Sequence, residues 1–137
     1  MRNDPPPYPE RLGRLREGLT RKDALLILHA KNIRYLTGFT GGDGALMAGP
    51  DWLMLLVDGR YVTQAREEAV GTEIFEFRNR VDGIAAVASG RAVEAIGFES
   101  PSLCVEEYLR LQEKLPAVAL RPLSGELHSF RAVKNEE

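Results

Sequence analysis

Few residues of this 137-residue chain have the types and spacing that catalysis needs. A metal centre requires several His, Cys, Asp or Glu side chains that converge on one point. His29 ends a predicted strand, His128 lies in the last predicted helix, and neither has a second histidine at helical spacing. CxxC and HExxH motifs are also missing from the sequence. We therefore predict no metal site and interpret each lone histidine as a surface or hydrogen-bonded structural residue.

Nucleophilic catalysis has one candidate thiol, because Cys104 is the only cysteine. It stands on the predicted apolar stripe of a helix with Tyr108 and Leu111, where a thiol packs as a small hydrophobic group. Cys104 also falls in the first turn of that helix, so mild activation by the helix amino terminus is an alternative. We favour the core interpretation. Since no GxSxG motif occurs either, we predict no catalytic residue in this chain.

Glycine is most concentrated in residues 38–44, GFTGGDG. Glycines that bind phosphate lead into the amino terminus of a helix, whereas this cluster leads into Ala45-Leu46-Met47, which has a strand pattern. The spacing is neither GxGxxG nor GxxxxGKS, and Asp43 would repel a phosphate. We predict a tight loop with positive φ angles and a close approach of the backbone to another element, and no nucleotide site.

A charged group follows an apolar strand directly at Asp58-Gly59-Arg60-Tyr61. It therefore lies at the carboxyl end of that strand, where ligand clefts form in open α/β sheets. The simplest interpretation is that Asp58 caps the next helix. The roles of Arg60 and Tyr61 remain open.

The elements that position these residues alternate between strand and helix. Predicted strands cover 24–28, 44–48, 53–57, 73–78 near the sheet edge, 95–98 and 117–120. Predicted helices cover 9–19, 31–36, the segment after Asp58, the segment around 81–88, the segment from Ser100-Pro101 onwards, and 126–133. Gly49-Pro50-Asp51 joins the second and third strands as a hairpin. The pattern predicts an α/β fold with a mixed sheet of about six strands and helices on both faces.

Composition limits the partners and the compartment. With 18 Lys and Arg against 20 Asp and Glu, the net charge of −2 argues against nucleic acid as a partner. No apolar run approaches the ~20 residues that span a bilayer, and no signal peptide opens the chain. The lone cysteine fits a cytoplasmic protein. Residues 1–8, rich in proline, are predicted to form a flexible leader, with packing of Tyr8 against the first helix as the alternative.

Four segments, in order, resemble motifs of the creatinase/prolidase amino-terminal domain. Residues 32–41, NIRYLTGFTG, are similar to N-[IV]-x-Y-L-T-G-F-x-G, and 55–61, LLVDGRY, contain the DGRY segment. Residues 96–99 match IGFE, and 131–137, RAVKNEE, resemble the R-x-[IV]-K-x-x-x-E junction. The resemblance implies a ribonuclease-H-like domain over 9–133. It also implies that 134–137 begin a linker to a catalytic domain that this chain lacks.

Xaa-Pro peptidases of this family cleave bonds before proline with two divalent metals (Mn, Co or Zn). Their ligands lie in a carboxyl-terminal domain that contains a D-x10-D pair of aspartates, and no two aspartates of this chain have that spacing. The resemblance therefore implies a non-catalytic domain that holds no cofactor and is inactive alone. A freestanding binding module of the same fold and an unrelated small α/β enzyme are the alternatives.

In this family the amino-terminal domain makes homodimer contacts and overhangs an active site that takes proline-containing peptides. The resemblance thus implies two protein partners, the chain's own catalytic domain and a second subunit. By analogy, Tyr35 and Phe39 form apolar walls of the substrate cleft, or belong to the core. Arg34 or Arg60 meets a substrate carboxylate, and Tyr61 is the fifth candidate.

Overall fold

The computed structural model describes residues 8–123. Its strands are β1 (Asp23–Ile27), β2 (Ala45–Ala48), β3 (Leu53–Asp58), β4 (Glu73–Phe77), β5 (Ala95–Glu99) and β6 (Ala119–Leu123). Its α-helices are α1 (Tyr8–Leu15), α2 (Ala30–Thr37), α3 (Val62–Glu68), α4 (Arg80–Gly90) and α5 (Val105–Lys114). Two 3-10 turns, Gly59–Tyr61 and Ser100–Ser102, precede α3 and α5. The predicted leader up to residue 7, the predicted helix 126–133 and the predicted linker 134–137 lie outside the described residues.

The six strands form one sheet in the order β4-β3-β2-β1-β5-β6. Strand β2 is antiparallel to β1 and β3, while the other pairs are parallel. Five strands therefore end at the same edge of the sheet, which we call the carboxyl edge, and β2 begins there. The predicted mixed sheet and its hairpin are confirmed.

Helices cover both faces of the sheet. Leu26, Leu56 and Ile96 pack with α4 and α5 on one face. Ile27 and Leu55 pack with α1, α2 and α3 on the other. Strands β1 and β3 are continuous apolar runs because each of their faces meets a helical layer. In the described part of the chain, every helix is too short or too polar to cross a bilayer.

The predicted start of the fifth helix is wrong. Pro101 presets a helical turn, but that turn ends after Ser102, and Leu103 returns to extended backbone with its side chain buried. The α-helix begins at Val105, with Cys104 as its extended N-cap. Cys104 is consequently exposed rather than on the apolar stripe, and its thiol lies 3.6 Å from Oε1 of Glu107.

The first helix and the last strand also differ from the expectations. The first helix ends at Leu15 instead of residue 19, and the chain then reaches Gly18 at a φ of 87°. Tyr8, whose position the sequence left open, is the first residue of α1 and is half-buried. The last strand starts at Ala119, two residues later than predicted.

Candidate functional site

Helix α2 brings the first candidate residues to the carboxyl edge. His29 is its N-cap, and Nδ1 of His29 accepts a hydrogen bond from the Lys31 N–H. This confirms the interpretation of His29 as a structural residue. The helix ends at Gly38, whose φ of 89° places it in the left-handed region that glycine tolerates.

The glycine-rich loop after α2 packs closely on its surroundings, as its composition predicted. A Cβ at Gly38 would lie 2.8 Å from the Tyr8 hydroxyl and 3.1 Å from the Glu68 carbonyl oxygen. A Cβ at Gly41 would overlap the Phe39 ring and lie 2.9 Å from Cδ1 of Tyr61. At Gly38 and Gly41, backbone and aromatic rings therefore leave no room for a side chain.

Phe39 and Tyr61 form an aromatic pair at the end of β3. Their ring centroids are 6.0 Å apart and the rings are perpendicular, the edge-to-face arrangement that aromatic quadrupoles favour. Phe39 is 1% exposed and belongs to the core beneath α2, whereas Tyr61 is half-buried. Of the two interpretations of Phe39, the structure therefore supports core packing.

Arg60 is exposed but already paired. Asp58 accepts the Arg60 N–H at 2.9 Å, which is the predicted cap, and its carboxylate also receives Nε at 3.2 Å and Nη2 at 2.9 Å. The hydrogen bonds and charge of Arg60 lower the pKa of Asp58, and Asp58 in turn raises the pKa of Arg60. The guanidinium carbon lies 5.3 Å from the Tyr61 ring centroid. Within residues 8–123, Nη1 remains available to a ligand.

The other two candidates lie on different sides of α2. Arg34 is exposed, and its charge is one of the influences that lower the pKa of Glu68. Tyr35 is half-buried beneath α1, where the Arg11 guanidinium lies 3.8 Å from its ring centroid and donates to its carbonyl oxygen at 2.7 Å. The structure thus brings Phe39, Arg60 and Tyr61 together and leaves Tyr35 apart from them.

Glu68 anchors the glycine-rich loop to α3, a role that no sequence motif indicated. Its Oε1 accepts the Thr40 N–H at 2.7 Å and the Thr40 hydroxyl at 3.0 Å. The Gln64 amide donates to Thr40 Oγ1 and to Glu68. The pKa of Glu68 is lowered, and the hydrogen bond from the Thr40 N–H is the largest cause. Partial burial acts in the opposite direction, and hydrogen bonds from the Thr40 hydroxyl and Gln64 lower the pKa further.

Acid should therefore release this loop. Because folding lowers the Glu68 pKa below 4.5, its contribution to stability is complete above 4.5 and is lost as the pH falls through the lower, folded value. We expect the Thr40 amide signal in NMR spectra to titrate with a midpoint below 4.5. Glu68→Gln should abolish that titration and Glu67→Gln, a neighbouring exposed site, should preserve it. A Thr40 midpoint at or above 4.5 would contradict the anchor.

An ion pair and a buried hydrogen-bonded glutamate reinforce the carboxyl edge. Arg80, the first residue of α4, pairs with Glu107 of α5 at 2.9 Å and reaches the Gly44 carbonyl oxygen at 3.5 Å. Glu99, at the end of β5, is 5% exposed and accepts hydrogen bonds from Asn32 and from the backbone before α2. The glutamate of IGFE thus contacts the asparagine of NIRYLTGFTG, which neither motif alone predicts.

The described residues do not fit a dinuclear metal centre. Across 8–123, no three His, Cys, Asp or Glu side chains converge on one point. A groove of about 890 Å³ does exist between α1 and the α3–β4 connection, with Leu12, Trp52 and Val70 among its lining residues. It contains none of the five predicted cleft residues. The predicted residues and this groove are therefore separate features.

Comparison of the chain with known proteins identifies its family. Residues 11–133 match the family model described as the Creatinase/Prolidase N-terminal domain. The chain belongs to this family. Its similarity to the Bacillus subtilis (strain 168) protein named uncharacterized peptidase YqhT is 28% identity over 116 residues, which are 84% of this chain and 33% of that protein. The chain therefore spans about a third of the length of the curated relative it matches.

Solved structures of this family share the fold. The N-terminal domain of the cytoplasmic peptidase PepQ from Mycobacterium tuberculosis H37Rv has a TM-score of 0.77 and 34% identity, covering 89% of this chain and 96% of that one. An Xaa-Pro aminopeptidase structure from Streptococcus pyogenes has a TM-score of 0.81 and 28% identity, over 90% and 97%. An Xaa-Pro dipeptidase from Bacillus anthracis has a TM-score of 0.79 and 28% identity, over 90% and 36%. The six-stranded mixed sheet is thus the creatinase/prolidase N-terminal fold.

Proposed function

We propose that this chain is the non-catalytic amino-terminal domain of an Xaa-Pro metallopeptidase of the prolidase or aminopeptidase P type. The observation that carries the proposal is that nearly the whole chain matches this domain family, while it covers only 36% of an Xaa-Pro dipeptidase with the same fold. The remaining length of such relatives accommodates a catalytic domain. Two divalent metals, Mn, Co or Zn, would be held there and not in this chain.

The same match supports the proposed division of the chain. In this proposal, residues 9–133 are the domain, residues 1–8 are a proline-rich leader, and residues 134–137 begin a linker. The M. tuberculosis relative is named a cytoplasmic peptidase, which supports a cytoplasmic location. The role of the present domain would be to make homodimer contacts and to shape the cleft that receives proline-containing peptides.

Geometry favours one part of the carboxyl edge as the cleft surface. Arg34 and Arg60 are the exposed cations among the five candidates, and Tyr61 offers a half-buried ring beside Arg60. Nη1 of Arg60 would donate to a substrate carboxylate while Asp58 holds the other side of the guanidinium. Phe39 would not contact the substrate but would hold the Tyr61 ring in place through their edge-to-face contact.

Loss of the Arg60 side chain should weaken substrate binding. In the full-length enzyme, we expect Arg60→Ala to raise KM about tenfold, the effect of losing one hydrogen bond to a charged group, and to leave kcat unchanged. Arg66→Ala, which removes an exposed arginine from α3, is the control. Steady-state kinetics on an Xaa-Pro dipeptide measure both constants. An unchanged KM in Arg60→Ala would remove the proposed contact.

Two measurements test the function itself. Immunoblotting of source-cell lysate with antibody to this domain should reveal a polypeptide longer by about 200–250 residues, the size of one large extra domain. That polypeptide, with manganese or cobalt, should cleave Xaa-Pro peptides, and the 137-residue chain alone should not. A band at 15.2 kDa would instead favour the freestanding binding module. Turnover that titrates with the short chain would refute the non-catalytic role.

A further inference from the structure

The side chain of Glu99 is a buried acceptor at the start of α2. Its Oε1 accepts the N–H groups of Leu28 and His29, the latter at 2.8 Å, and its Oε2 accepts the Asn32 side-chain amide. Glu99 is 5% exposed and Asn32 is 3% exposed, so solvent has little access to this contact. A buried carboxylate requires such donors, and a negative charge at a helix amino terminus is stabilising.

These hydrogen bonds stabilise a helix that is too short to be stable on its own. Helix α2 has eight residues, well below the length at which an isolated helix is stable in water. Ile33 and Leu36 pack it onto the sheet through non-directional apolar contacts. Glu99, from the opposite half of the sequence, supplies directional contacts to its first turn. Together with the hydrogen bond from Arg11 to the Tyr35 carbonyl oxygen, these contacts orient the helix on the sheet.

Rotation of α2 determines the position of the candidate cleft surface. Arg34 lies two residues after Asn32 on the same short helix. The helix runs directly into Gly38 and then into Phe39, whose ring supports Tyr61. A small turn of the helix at Asn32 therefore displaces both the exposed cation and the aromatic pair.

We propose that Glu99 and Asn32 are positioning residues that hold α2, and through it Arg34 and the loop 38–44, in the orientation that substrate binding requires. The consequence for catalysis rests on the proposed function of this domain, whereas the structural coupling does not. Neither residue touches the substrate in this proposal.

Exchanging the carboxylate and the amide between positions 99 and 32 tests whether the hydrogen bond between the two side chains orients α2. Gln at position 99 still accepts the two backbone N–H groups, but its own amide now faces Asn32 as a donor, so the contact persists only when the Asn32 amide turns over to present its oxygen. Asp at position 32 opposes the Glu99 carboxylate with a second one. In the double variant Glu99→Gln/Asn32→Asp, the new amide donates to the new carboxylate, and the contact is restored in reverse.

Amide NMR spectra of the 137-residue chain test the coupling without any peptidase assay. We expect Asn32→Asp to shift the signals of residues 34–44, and the double variant Glu99→Gln/Asn32→Asp to return them close to the wild-type positions. Glu94→Gln, an exposed change just before β5, should leave them unmoved. Asn32→Ala, which keeps both backbone contacts of Glu99, provides the same test should Asn32→Asp unfold. Shifts confined to the direct neighbours of positions 32 and 99 would overturn the proposal.

Kinetics of the full-length enzyme test the functional consequence. We expect Asn32→Asp to raise KM about tenfold with kcat within twofold, and the double exchange to recover most of the loss, as for one hydrogen bond to a charged group. A lower melting temperature with KM unchanged would reduce Glu99 to a purely structural residue and overturn the proposal. Absence of Xaa-Pro cleavage by the wild-type full-length protein would instead refute the proposed function, and the NMR result would still decide the coupling.

Discussion

Replacing Phe39 with alanine should lower the free energy of unfolding by about 3–5 kcal/mol, the usual cost of removing a large aromatic side chain from a core. The ring is 1% exposed and packs with Ile33, Leu36 and Val57 while it supports Tyr61 edge-on. Since small domains have only about 5–15 kcal/mol of stability in total, this is a large fraction of the free energy that keeps the domain folded. Urea denaturation followed by circular dichroism measures the change.

Phe39→Leu is the matched control, because it keeps an apolar side chain in the same cavity. We expect it to cost no more than about 1–2 kcal/mol, since a smaller side chain leaves only part of the volume empty. A Phe39→Ala protein that retained wild-type stability would show that the ring is a cleft wall and not core. This distinction matters for kinetics, because a loss of activity in Phe39→Ala would be explained by unfolding and would give no evidence that Phe39 contacts the substrate.

Gly49→Ala should have the second large effect. A Cβ at this position would overlap the indole of Trp52, coming within 2.5 Å of its Cδ1. Trp52 is 9% exposed, and the Arg91 guanidinium lies 4.9 Å from the centre of its ring. The carbonyl oxygen of Trp52 also accepts the Gly49 N–H at 3.0 Å, which closes the hairpin turn. We expect a loss of about 1–3 kcal/mol, as for other overpacked sites.

Trp52 is the only tryptophan, so its fluorescence reports this change directly. Displacement of the indole from its buried position should shift its emission to longer wavelength in the folded Gly49→Ala protein. Gly42→Ala is the control, because a Cβ there would meet nothing within 4 Å. Wild-type stability and emission in Gly49→Ala would show that the turn adjusts without cost.

Local patterns were sufficient to predict most of the architecture. Strands β1 and β3 are apolar runs of a length that suits a strand covered on both faces. Gly49-Pro50-Asp51 has the composition of a turn, and Asp58 stands where a cap is needed, so the hairpin and the start of the next helical segment were predictable. In each case the determining residues are neighbours in the sequence.

Contacts between distant segments could not be predicted in the same way. Thr40 and Glu68 are 28 residues apart and Asn32 and Glu99 are 67 apart, and no periodicity connects such positions. The start of α5 was mispredicted for a related reason, because burial of Leu103 overrides the helical signal of Pro101. The sequence places Arg60 and Tyr61 directly after β3, but it indicated Asp58 only as a cap and not as the ion-pair partner of Arg60.

The strand order has a consequence for the order in which this chain can be assembled during synthesis. β1 lies in the middle of the sheet, yet the partner on one of its sides is β5, with Asp23 beside Ala95. Until β5 leaves the ribosome, an apolar strand whose side chains are buried in the finished domain keeps one row of backbone donors and acceptors unpaired. Unpaired strand edges of this kind readily join other chains. A shorter version of the domain that ends before Ala95 would therefore open the centre of the sheet rather than remove only an edge strand.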